Sequence, residues 1–133
     1  ITNSDVLIAG LLHDTLEDTS ATYEEIERTF SKEVADLVQE VSHPKNYNQE
    51  QKLEYYERIK TISSGAKFIK MADFASHLQN FAKIYERNEQ HLYPKFANND
   101  KYIKSIREFL DICDDSVGKK FVYKLTDKLE TLL

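Results

Sequence analysis

The sequence predicts an all-α fold, and three observations carry that prediction. Helix breakers are scarce, with three Gly (Gly10, Gly65, Gly118) and two Pro (Pro44, Pro94) in 133 residues. Apolar residues recur at spacings of three and four rather than two. No alternating stretch is long enough to form a strand, and there is no repeat or low-complexity segment.

The elements follow in order. From Ser4, the residues Val6, Leu7, Ile8, Ala9, Leu11 and Leu12 are apolar nearly all round, as in a buried helix. "TYEE", Thr22 to Glu25, is a capping box that opens a short helix running to Phe30. "SKEVADLVQEV" places Val34, Leu37, Val38 and Val41 on one face of a third helix. "SHPKNYN" is turn chemistry, with Pro44 and two Asn. A polar helix is expected from Gln49 to Ile62.

The longest helical pattern starts near Ser64, with Phe68, Ile69 and Met71 as core residues. "NNDKYIKSIREFLDIC" gives another amphipathic helix, for which Asp100 is the expected N-cap. A last helix runs from Val117 to Leu133, and its pattern does not tell whether it packs on the bundle or mediates association.

Composition narrows the function. A chain that is 41% hydrophobic and 31% charged is globular, and its length suits one domain, 1–133. The net charge of −5 argues against a general nucleic-acid binder. It leaves room for a local basic patch that meets phosphate. Cys113 is alone, which excludes a disulfide framework and Cys-rich zinc sites. With no run of about 18 apolar residues and no signal segment, a cytoplasmic protein off the membrane is expected. The chain opens at Ile1 without an initiator Met, as an N-terminally incomplete domain would.

One stretch concentrates the chemistry. "LLHDTLEDT" sets His13, Asp14, Glu17 and Asp18 directly behind an apolar run. On a helix, His13 and Glu17 share a face, and so do Asp14 and Asp18. Two readings stand open: a solvated helix end, or a metal site with a general acid/base beside it. Adjacent His and Asp form a mixed N/O pair suited to Mn²⁺, Fe²⁺ or Zn²⁺, but a third ligand must come from elsewhere. Asp73 is the best candidate, because a carboxylate within "FIKMADFA" is costly unless paired or bound to metal. Lys70 and His77, three residues before and four after, are its alternative partners. His43 and His91 lie in polar surroundings and read as surface residues.

"AGLLHDTLEDT", then "YEEIERTFSKEVADLVQEVS", then "GAKFIKMADF" resemble the (p)ppGpp hydrolase domain of RelA/SpoT proteins, in the HD superfamily. The resemblance runs from Asp5 to Ile84 and is closest in style to the small stand-alone hydrolases. It implies an HD-domain helical bundle and Mn²⁺-dependent hydrolysis of guanosine 3′,5′-bis(diphosphate) to GDP and pyrophosphate. It assigns the metal to His13, Asp14 and Asp73, and the attacking water to Glu17 and Asp18. Lys52 falls where the family carries a phosphate-binding basic residue.

Two departures accompany the resemblance. The family's further metal-ligand His would lie upstream of Ile1. Its nucleotide-contacting Asn, four residues after the third ligand, is replaced by His77. Hydrolysis of other nucleotides, by a mononucleotide phosphatase or a deoxynucleotide triphosphohydrolase, and a nucleotide-binding module without turnover are the alternatives.

Overall fold

The structure, a computed structural model, describes residues 1–93 and 99–133. Among these residues every regular element is helical. They are α1 (Asn3–Leu12), α2 (Thr15–Asp18), α3 (Tyr23–Thr29), α4 (Lys32–Val41), α5 (Gln49–Arg58), α6 (Ser64–Glu86), α7 (Asn99–Asp111) and α8 (Val117–Leu132). Two 3₁₀ turns, Ile59–Thr61 and Gln90–Leu92, complete the set. No described helix is long and apolar enough to cross a membrane. The chain divides into two compact units, Ile1–Lys70 and Met71–Leu133.

In the first unit, α4 is the element on which α1 and α3 pack. Its spacing puts Val34, Leu37, Val38 and Val41 inside, as the sequence predicts, and Ala35 joins them. The Thr22/Glu25 capping box forms at the start of α3 in both directions, and Ser31 caps α4 on the Val34 N–H. Gly65 allows a close approach. A Cβ there would stand 3.1 Å from a Val6 methyl and 3.3 Å from a Leu37 methyl, so α6 begins wedged against α1 and α4.

The end of α4 is held by α5. Arg58 donates to the carbonyls of Glu40 and Ser42 at 2.9 and 2.6 Å, and the Tyr55 hydroxyl donates to that of Val41 at 3.0 Å. Last-turn carbonyls have no partner within their own helix, so these donors fix where the following segment leaves.

In the second unit, α7 and α8 pack together and the later part of α6 contributes Phe74, Leu78 and Phe81 to the buried set. Phe74 meets Phe109 edge-on at 5.5 Å. Val122, Thr126 and Leu129 form the buried stripe of α8. Arg107 on α7 ties to α8 through Thr126, Asp127 and Glu130.

Four sequence expectations are corrected. In α1 only Ala9 is buried, whereas Leu7 and Leu11 are 68% and 80% exposed. One side packs on α4, and apolar composition alone does not dictate that the other sides are covered. Phe68 is 55% exposed rather than core, because it shares a stripe of α6 with exposed Ala72, Gln79 and Lys83. The polar helix ends at Arg58 and tightens into the 3₁₀ turn before Ile62. Asp100 lies inside the first turn of α7 rather than at its cap.

Candidate functional site

The chemistry-bearing stretch sits where α1 gives way to α2. The last carbonyls of α1 are taken by side chains: His13 Nδ1 meets Gly10 O at 2.7 Å, and the Thr15 hydroxyl donates to Leu12 O at 2.7 Å. That capture ends the helix at Leu12 and orients the imidazole. A carbonyl oxygen only accepts, so His13 Nδ1 carries a proton and Nε2 turns toward Asp14 Oδ2, 3.1 Å away.

Donor chemistry and spacing test whether this pair suits a cation. His13 Nε2 and Asp14 Oδ2, 3.1 Å apart, form a mixed N/O donor pair of the kind Mn²⁺, Fe²⁺ or Zn²⁺ accepts, and the Gly10 carbonyl is the kind of outer partner that fixes a ligating His. The residues therefore fit as two of a cation's ligands. No three His, Cys, Asp or Glu side chains among the described residues form a ready cluster.

Glu17 points elsewhere than the sequence suggests. Its Oε1 accepts from the backbone N–H of His43 at 2.9 Å, and its Oε2 lies 3.0 Å from His43 Nε2. The two side chains are 13% and 27% exposed, so the contact is largely shielded. The expectation that His43 is a mere surface residue is thus corrected. It is held because Arg58 and Tyr55 pin the segment from which it projects.

The His43 ring stacks on Tyr47 at 4.2 Å and meets Tyr55 edge-on at 5.5 Å. Burial, reinforced by the Glu17 charge, pushes the Tyr47 phenol up, while Lys70 acts in the opposite sense. Lys70 itself is buried with its ammonium 5.3 Å from the Tyr55 ring centre, a cation–π contact. Lys45 from the same loop donates to Thr19 O at 2.7 Å, a second tie to the end of α2.

The other candidates are placed as follows. Asp18 is exposed at the end of α2, and Lys52 is exposed on α5. Asp73, in the second unit, has a side chain only 10% exposed. It stands 3.4 Å from His77 Nε2, one turn on, and His77 Nδ1 lies 3.2 Å from the Tyr102 hydroxyl. The structure thus brings together three pairs: His13 with Asp14, Glu17 with His43, and Asp73 with His77.

The profile of the HD-domain family matches residues 2–101. The chain belongs to the HD-domain family. Membership implies a divalent metal. A guanosine-3′,5′-bis(diphosphate) 3′-pyrophosphohydrolase, MESH1 of Xenopus tropicalis, is 33% identical over 125 residues, covering 92% of this chain and 70% of that protein. MESH1 of Drosophila melanogaster is 42% identical over 81 residues, 60% of this chain and 45% of the relative. Among solved structures, a metazoan orthologue of SpoT, described as hydrolysing ppGpp and acting in starvation responses, matches with a TM-score of 0.66 and 28% identity. That match covers 99% of this chain and 69% of the other.

Proposed function

We propose that this HD-domain protein is a ppGpp 3′-pyrophosphohydrolase that works with Mn²⁺. The observation that carries the reading is the 33% identity to a 3′-pyrophosphohydrolase across 92% of the chain. The 3.1 Å His13–Asp14 pair supplies a site whose chemistry agrees with it. The family match crosses the Lys70–Met71 boundary, which supports treating 1–133 as one HD-type domain.

By the family resemblance, His13, Asp14 and Asp73 are the residues that would hold the cation. When bound, it neutralises phosphate charge and acidifies water. Glu17 takes the proton of the attacking water, as a carboxylate within one helical turn of the ligands can. Asp18, next in sequence, helps to orient that water. The water oxygen forms a bond to the phosphorus next to the ribose 3′-oxygen. The bond between that phosphorus and the 3′-oxygen breaks, pyrophosphate departs and the 3′-oxygen is protonated to give GDP. Lys52 meets the phosphate charge and His77 the nucleoside.

A specific observation favours a second reading, in which another nucleotide is the substrate. Both ring nitrogens of His77 already face partners, Asp73 and Tyr102, at the position where the resemblance implies an Asn. The test is phosphate analysis of the products from ppGpp, a mononucleotide and a deoxynucleoside triphosphate, each with Mn²⁺. Pyrophosphate from ppGpp alone is expected. Orthophosphate or triphosphate from the other substrates moves the protein to another phosphohydrolase class. Metal binding without turnover leaves a nucleotide-binding module.

A further inference from the structure

The His43–Glu17 contact is over-determined for a simple strut. The backbone N–H of His43 already ties the loop to Glu17 Oε1. The imidazole adds a second donor to the other oxygen, and this donor has supports of its own. Tyr47 stacks on the ring, Tyr55 meets its edge, and Nδ1 lies 2.9 Å from Pro44 O.

A carboxylate oxygen accepts, so the imidazole Nε2–H is the donor in the 3.0 Å contact with Glu17 Oε2. An ionised carboxylate offers about four lone-pair directions, of which His43 uses two. The remaining two are left pointing in directions that the contact dictates.

We propose that His43 is the positioning residue for Glu17. It clamps both oxygens from one side so that their free lone pairs meet the water in a fixed orientation. The proposal rests on the reading of Glu17 as the group that takes the water's proton. A four-residue helix with an otherwise rotatable side chain supplies little orientation by itself, and orientation is worth large rate factors.

The test measures pyrophosphate release from ppGpp with Mn²⁺ in the wild type, His43→Ala, His43→Gln, Glu17→Gln and the His43→Ala/Glu17→Gln double variant. His43→Ala is expected to lower kcat on the order of 10- to 100-fold with KM within about twofold. His43→Gln, whose amide can still donate to Oε2, is expected to recover most of that loss. The double variant should be no slower than Glu17→Gln alone, since one residue acts through the other.

An unchanged kcat in His43→Ala overturns the proposal. So does a loss that His43→Gln fails to recover, or one that adds in full to that of Glu17→Gln once each rate is divided by the folded fraction read from the variant's circular dichroism. Activity in the wild type separates these failures from failure of the hydrolase reading. A wild type that releases no pyrophosphate overturns that reading, and the role of His43 with it.

Discussion

Both oxygens of Glu17 are held by one residue, His43, through its backbone N–H at 2.9 Å and its imidazole at 3.0 Å. The two positions are 26 residues apart and lie on opposite sides of α3 and α4. The contact turns a short, acidic helix end into an oriented carboxylate. Just before it in the chain, His13 and Asp14 set an imidazole nitrogen and a carboxylate oxygen 3.1 Å apart.

Glu17→Gln should remove the proton acceptor while leaving the proposed ligands in place. Pyrophosphate release is expected to fall on the order of 100- to 10,000-fold. Mn²⁺ affinity measured by calorimetry should stay unchanged. Retention of the wild-type rate would exclude Glu17 from proton transfer.

His13→Ala removes one of the two adjacent donors. A fall in Mn²⁺ affinity of roughly tenfold or more is expected, read as free Mn²⁺ by electron paramagnetic resonance. In the wild type, a chelator should abolish turnover and added Mn²⁺ should restore it. Equal affinity in the wild type and the variant would place the cation elsewhere.

Leu37 is fully buried in α4 and borders Gly65. Truncation to Ala opens a cavity between packed helices and should lower the unfolding free energy by about 2–5 kcal/mol. Urea denaturation measures this directly. A change below about 1 kcal/mol would mean that α1 and α6 close the gap.

Tyr123 makes stability sensitive to alkali. Burial first, and then its hydrogen bond to Asp111, push the phenol up to about 12. The folded protein therefore holds this proton more tightly than the unfolded chain, whose phenol titrates near 10. The resulting stability is fully present below about pH 10 and is lost as pH rises toward 12. Tyr123→Phe should flatten that part of the decline in an unfolding-against-pH series. Tyr23 and Tyr47, also raised, keep contributing. Parallel curves for the wild type and the variant would refute the assignment.

Legibility from sequence follows the range of the interaction. The α4 stripe and the Thr22/Glu25 box are visible because their partners lie three or four residues apart. The HD pair is visible because its members are adjacent. Leu7, Leu11 and Phe68 are misread because a helix that is apolar on several sides does not say which side meets a neighbour. His43 is missed for a related reason: no periodicity links a loop histidine to a carboxylate two helices earlier. The available signal is weak, a His beside Pro44 directly after a strongly amphipathic helix, with an acidic helix end in need of a partner.

The clamp that α5 places on the end of α4 has a corollary for the length of the loop. Arg58 and Tyr55 fix the carbonyls of Glu40, Val41 and Ser42, so the backbone up to His43 has a set length. Beyond Lys45 the chain passes through Asn46 in a left-handed turn and reaches Asn48, which caps α5. An insertion or deletion between Glu40 and His43 should therefore shift the histidine off Glu17, and one between Lys45 and Tyr47 should pull the stacked Tyr47 ring away from it.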